Sequence, residues 1–365
     1  MSGAKCGIPG CRAARSSGLR LRIILVSVWP RESASRRGSR QARRPHAAPG
    51  CPGEMEPLRS PNRRPAAEDS MARVGFIGVG HMGGPMARNL IKAGHSVKAY
   101  DLSEEALNFI VQAGASRAAS VKEAAGGVDF VVTMLPVGEN VRAVFLGDGV
   151  LAAADRGTVL IDSSTIDVES ARAVHAAAAE RGYAMLDAPV SGGVAGAEAA
   201  SLTIMCGGDK AVFEKARPLL QAMGKNIVHC GGPGFGQATK ICNNMVAGII
   251  SLATAEAFVM GEKLGVARQT LFDVLSTSSA ASFILSRNCP AAGPVPTSAS
   301  SNGYKPGFMA KLMLKDLRLS QAAAQMAGTA TPLGAAVTAA YALHVNNGFG
   351  ELDSSSIIKL INPEI

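Results

Sequence analysis

Aromatic side chains are scarce in this chain of 365 residues: one Trp, four Tyr and eleven Phe make up 4% of it. With Ala and Gly abundant, its helices and strands are expected to pack closely through small residues. No two of the seven cysteines, Cys6, Cys11, Cys51, Cys206, Cys230, Cys242 and Cys289, stand at C-x-x-C spacing. Neither a zinc ribbon nor a redox dithiol is indicated, and reduced, mostly buried thiols are expected. Long uninterrupted apolar runs are missing too. The nearest, residues 241–260, is broken by Asn243, Asn244 and Glu256, so it reads as a buried helix rather than a membrane span.

Net charge is also absent from most of the chain. The formal +9 arises wholly in residues 1–70, which hold 14 Lys+Arg against 5 Asp+Glu. The remainder holds 37 − 14 = 23 basic and 28 − 5 = 23 acidic residues, a balance of zero. Nothing there argues for a nucleic acid or another polyanion as partner. Residues 1–70 are rich in Arg, Ser, Pro and Ala and show no hydrophobic period. Such a segment buries too little surface to offset its ordering entropy. It reads as a disordered extension or as residues ahead of a start at Met71, which implies a cytoplasmic protein. The competing reading is an organelle transit peptide, which implies the mitochondrial matrix.

What is present is a chain with 47% hydrophobic and 18% charged residues, long enough for two domains. From Val74, "RVGFIGVG" is a strand-like run ending in glycines, "GGPMARNLIKAG" is helix-like, and "SVKAYD" is strand-like again. Together they make one right-handed βαβ unit. At its first turn Gly78-Val79-Gly80-His81-Met82-Gly83 reads G-x-G-x-x-G. In a dinucleotide fold Gly78 permits the tight turn, Gly80 lets a pyrophosphate approach the backbone, and Gly83 allows close helix–strand packing. Asp101 follows 21 positions after Gly80 (101 − 80), with no Arg or Lys immediately behind it. A carboxylate there accepts from ribose hydroxyls and repels a 2′-phosphate, so NAD is expected over NADP.

Strand-like and helix-like runs keep alternating through "VDFVVTMLP", "TVLIDSST" and "YAMLDAPVSG". Loops at the carboxyl ends of such strands face the ligand crevice, which places Leu135, Pro136 and Asn140 in one, Thr165 in the next and Ser191-Gly192-Gly193 in a third. After about residue 236 strand signals stop. The expected fold is an α/β Rossmann-type N-terminal domain plus an all-α C-terminal domain, joined by a long interdomain helix. The expected boundaries are 71–235 for the NAD-binding domain, 236–265 for the helix and 266–365 for the helical domain.

A second glycine cluster, "GGPGFGQATKICNN" at 231–244, precedes that helix, but no further strand follows to complete another dinucleotide unit. Lys240 and Asn244 are four apart and share a helix face about one turn from its start. The positive helix end can lower the pKa of Lys240 and make it a proton donor or acceptor. On these residues alone Lys240 is equally well a solvated charge.

Four motifs in order, "GFIGVGHMGGPMARNL", "DAPVSGGVAGA", "GGPGFGQATKICNN" and "KDLRLSQAA", are similar to those of the β-hydroxyacid dehydrogenases. The resemblance runs from Met71 to the C-terminus. It implies that Lys240 exchanges the hydroxyl proton while hydride passes to NAD, and that Ser191, Gly192 and Gly193 hold the substrate carboxylate. It implies that Asn244 orients the substrate. Lys315, with Asp316 beside it, is implied to reach back to the cofactor site, and Leu135, Pro136, Asn140 and Thr165 to touch the cofactor. The implied reaction is oxidation of a small 3-hydroxy acid of the 3-hydroxyisobutyrate type, with no metal needed. Reduction of a tartronate, succinic or glyoxylic semialdehyde, or a non-catalytic binding module of the same fold, are the alternatives. A homo-oligomer, dimer or tetramer, is the implied assembly. His81 stands where the family often has Asn. The pocket loop at 278–304 departs from the family pattern and lacks a tryptophan, leaving Phe283 as a candidate to fill the pocket.

Overall fold

The computed structural model describes residues 71–365; the readings made for residues 1–70 lie outside them. Nine strands form one sheet: β1 Arg73–Ile77, β2 Ser96–Tyr100, β3 Ser116–Arg117, β4 Phe130–Thr133, β5 Val159–Asp162, β6 Ala184–Asp187, β7 Val190–Ser191, β8 Leu202–Gly208 and β9 Gly224–Gly231. The first six run parallel in the order β3-β2-β1-β4-β5-β6. This is the Rossmann order, in which the strand order reverses between β1 and β4 and opens a crevice there. Beyond β6, β8 turns antiparallel, pairs with the two-residue β7, and carries β9 parallel on its other edge.

The strand residues alternate between two cores, as a period of two requires. Phe76, Val132, Ile161 and Leu186 pack on one face with Met86, Leu90 and Phe213. Ile77, Val131, Leu160 and Met185 pack on the other with Phe145 and Val174. Strands β4 and β5 are buried at every position, which is why each reads as an apolar run up to its polar last residue, Thr133 or Asp162.

Helix Phe235–Lys263, the spine helix, leaves the sheet and runs 29 residues, about 43 Å at 1.5 Å per residue. It is long and apolar enough to cross a membrane by length and composition. Its buried positions instead face protein: Gly248 lies against Leu317 and Met313 of helix Ala310–Met326. Its Phe258 packs with Leu285, Leu317, Val337, Tyr341 and Ile358 in the core of a helical domain. The four cysteines among the described residues, Cys206, Cys230, Cys242 and Cys289, are all free thiols.

Candidate active site

The first glycine cluster forms a loop between β1 and helix Gly83–Lys92. Gly78 has φ +90°, and a Cβ on it would lie 2.3 Å from the carbonyl oxygen of Met134, at the end of β4. A Cβ on Gly83 would lie 1.9 Å from the carbonyl of Gly78. Gly80 meets nothing within 4 Å. Two glycines are thus consumed by packing and the third keeps the backbone open, as an approaching pyrophosphate needs. His81 is exposed and Met82 half-buried beside it. Asp101 holds the loop from the end of β2: its Oδ2 accepts from Val79 N–H at 2.7 Å and its Oδ1 from Ser103 N–H at 2.8 Å. Each carboxylate oxygen has lone-pair capacity beyond its one backbone donor, so the residue fits a ribose clamp as well as a loop anchor.

The next two lips of the crevice are tied together. Leu135 N–H donates to Ser164 Oγ at 2.8 Å, and Ser164 and Thr133 hydroxyls both donate to Asp162 Oδ1. Burial pushes the Asp162 carboxyl above the ordinary aspartate range, against the pull of those hydroxyls. Pro136 and Thr165 meet at Lys315, whose Nζ donates to both carbonyls, at 3.2 and 2.7 Å. Lys315 therefore reaches the crevice from the helical domain. Asn140 is the predicted residue left apart: it lies exposed in the first turn of helix Gly138–Phe145, and its backbone N–H is taken by Val137.

Lys240 and Asn244 share the buried face of the spine helix, at 6% and 5% exposure. The solvated-charge reading of Lys240 is thereby removed. Burial lowers its pKa to about 8; Asp316 opposes this and Lys315 adds to it. Only one of the two N–H donors of the Asn244 amide nitrogen is committed within the protein. That group donates to Asp316 Oδ2 at 2.5 Å, and its oxygen accepts from Asn243 at 3.0 Å. The reason is the neighbouring helix, which brings a carboxylate against this face. Asp316 is 2% exposed, with Oδ1 3.3 Å from Lys315 Nζ.

Ser191 lies in the short strand β7 rather than a loop, paired with Thr203, and Gly193 opens helix Gly193–Glu198. A Cβ on Gly193 would lie 3.4 Å from the carbonyl of Gly307, so the 305–308 segment walls this corner. That segment is held by buried Asp353, which accepts from the backbone N–H groups of Gly307 and Phe308 at 3.0 Å each. Phe283 does not fill the pocket: it heads the short helix Phe283–Arg287 with 71% of its surface exposed. A basin of about 630 Å³ lies elsewhere, between Glu262, Arg268 and Pro294. Glu262 is 22 residues along the spine helix from Lys240, roughly 33 Å, and no predicted site residue lines it.

Two residues without a predicted role join these parts. Gln237, fully buried, donates to Ser164 carbonyl at 2.7 Å and accepts from Ile166 N–H at 3.1 Å, bracketing Thr165. Asp187, also fully buried, accepts from the backbone of Gly234 and Gln237.

Residues 73–232 match the NAD-binding domain of 6-phosphogluconate dehydrogenase, and residues 234–361 match the NAD-binding region of NADP-dependent 3-hydroxyisobutyrate dehydrogenase. A 3-hydroxyisobutyrate dehydrogenase of Pseudomonas aeruginosa is 45% identical over 293 residues, covering 80% of this chain and 98% of the relative. The chain belongs to the β-hydroxyacid dehydrogenase family. An NAD-dependent L-serine dehydrogenase of the same organism is 46% identical over 294 residues, 80% of this chain and 99% of the relative. The structure of Mycobacterium tuberculosis 3-hydroxyisobutyrate dehydrogenase with L-serine superposes with a TM-score of 0.76 at 46% identity, covering 80% of this chain and 99% of that one. As a β-hydroxyacid dehydrogenase the protein is a nicotinamide-dinucleotide-dependent oxidoreductase.

Proposed function

We propose that the protein oxidises 3-hydroxyisobutyrate to methylmalonate semialdehyde with NAD. The observation that carries the reading is Lys240: a lysine buried on an apolar helix, whose opening turn is bonded by Asp187 of the substrate-loop motif, with its pKa brought down to about 8. A base near that value is matched to accept a hydroxyl proton near neutral pH. When bound, the nicotinamide accepts the hydride from the carbinol carbon. Lys240 Nζ takes the hydroxyl proton, Ser191 and the Gly192–Gly193 backbone hold the carboxylate, and Asn244, fixed by Asp316, orients the reacting end. Lys315 keeps the Pro136 and Thr165 carbonyls in place at the crevice.

Asp101 supports NAD over NADP, since its carboxylate stands at the loop tip with no basic neighbour among residues 102–105. Asp101→Ser is expected to raise the KM for NAD roughly tenfold or more, the worth of a charge-assisted hydrogen bond, and to narrow the preference against NADP. Unchanged selectivity in paired NAD and NADP assays would remove Asp101 from this role.

A second reading, oxidation of L-serine, is favoured by one feature. Asp316 is a buried carboxylate beside Lys240 whose Oδ1 is met by the Lys315 ammonium at 3.3 Å without a well-aligned hydrogen bond, and a substrate ammonium group would supply one. NAD reduction measured with both 3-hydroxyisobutyrate enantiomers, L-serine, glycerate and 4-hydroxybutyrate decides between them. The first reading expects the highest kcat/KM with one 3-hydroxyisobutyrate enantiomer. A clear preference for serine, lost in Asp316→Asn, would replace it.

A further inference from the structure

We propose that Asp187 is a positioning residue for the reaction: its carboxylate joins the segment carrying Ser191 to the helix carrying Lys240 and fixes one against the other. The inference rests on the reading of Lys240 as the proton-transferring group.

Asp187 ends β6, four positions before Ser191 (191 − 187), in the same "DAPVSGG" run. Its side chain reaches the start of the spine helix. Oδ1 accepts from Gly234 N–H at 2.8 Å, and Oδ2 accepts from Gln237 N–H at 2.9 Å. Gly234, at the N-cap, has no side chain to satisfy these opening donors, so a residue 47 positions earlier does so. The carboxylate thereby serves as a cap supplied from the sheet.

The fit leaves little freedom. A Cβ on Gly207 would lie 2.5 Å from Oδ1, and one on Gly236 would lie 2.8 Å from Oδ2. Buried His175 places Nε2 3.0 Å from Oδ1. Lys240 follows one helical turn after Gly236, so a tilt or rotation of this opening turn moves Nζ relative to Ser191. The charge acts as well. A carboxylate at the N-terminus of a helix offsets the positive end of its dipole, which otherwise disfavours an ammonium in the following turns. The other ionisable groups around this helix start are Arg172, whose Nε would lie 3.2 Å from a Cβ on Gly234, Asp316 and Lys315 from helix Ala310–Met326, His175, Cys206, and Asp162, the register partner of Asp187 on β5.

Asp187→Asn keeps the shape, but its amide group must confront one of the two N–H donors. In the purified full-length chain it should still bind NADH, because the Gly78–Gly83 loop is untouched. Its kcat should fall roughly ten- to hundredfold through misplacement of the base, with a larger primary isotope effect from substrate deuterated at the carbinol carbon. The rising limb of the pH profile should move down by about half a unit. An anchor serving stability alone would lower the melting temperature but leave isotope effect and pH limb at wild-type values, and that result overturns the proposal. If Asp187→Asn does not fold, His175→Phe, which leaves the carboxylate but removes its ring donor, must raise the isotope effect; no change there also overturns it. Titration of Lys240 by NMR of its 13Cε, assigned by its loss in Lys240→Ala, needs no turnover. A wild-type protein inactive on every substrate tried sinks the functional reading, while the position of that titration in Asp187→Asn still decides this one.

Discussion

Lys240→Ala is expected to lower kcat for hydroxy-acid oxidation about a thousandfold, the usual worth of a positioned acid–base group, while NADH still binds. The loop at Gly78–Gly83 and the Asp101 anchor lie on the first βαβ unit and owe nothing to the lysine side chain. Binding without turnover separates loss of the base from loss of the fold, and fluorescence titration with NADH beside steady-state kinetics measures both. The same burial that lowers the Lys240 pKa to about 8 has a signature in stability. Below pH 8 folded and unfolded chains both carry the proton, and the cost of burying the ammonium is constant. Between about 8 and the ordinary lysine value of 10.5 the unfolded chain binds the proton and the folded chain does not, so stability rises with pH. A Lys240→Met variant lacks that slope. Wild-type melting temperature should therefore gain on that of the variant as pH rises through this window; parallel curves would mean the lysine is not the buried cation described here.

Gly83→Ala is expected to have the second large effect. Its new methyl would lie 1.9 Å from the Gly78 carbonyl and 3.1 Å from the Phe76 ring. The first obstacle is backbone, so no side chain can turn aside to relieve it. A cost of about 3 kcal/mol is expected, or a fall of roughly 6–12 °C in melting temperature for a domain of this size, with weakened NADH binding because the loop itself must shift. Gly80→Ala is the control: with nothing within 4 Å of its Cβ it should melt like the wild type. It should nevertheless bind NADH less well, since the methyl enters the space an approaching phosphate needs. Equal melting of all three proteins would show that the Gly83 contact is not a constraint.

The contrast between these glycines shows where a sequence is informative. G-x-G-x-x-G between two apolar runs is a local pattern, and so are β4 and β5, buried on both faces and written as apolar stretches up to a polar last residue. Strands β8 and β9 are not legible in the same way. The second is mostly half-exposed, with Lys225, Asn226 and His229 breaking its pattern, and both lie beyond the alternating crossover units. In the site, Lys240 and Asn244 were legible because spacing of four on one helix is local geometry. Their surroundings were not. The donor from Asn244 goes to Asp316, 72 residues away, and the Asp187 carboxylate meets backbone groups 47 and 50 residues on. Phe283 failed for a related reason: residue type suggested a pocket wall, while the direction of a five-residue helix turned the ring outward.

Acceptance of the substrate proton by a buried lysine, neutral above about pH 8, is what the proposed reaction requires. It is tested most directly by the pH dependence of kcat/KM for 3-hydroxyisobutyrate oxidation in wild-type protein and Lys240→Ala. The wild-type rate should rise with pH and level off through a midpoint near 8, and the variant should show about a thousandth of that rate and no such midpoint. A variant within tenfold of wild type, or one retaining the same rising limb, would contradict it.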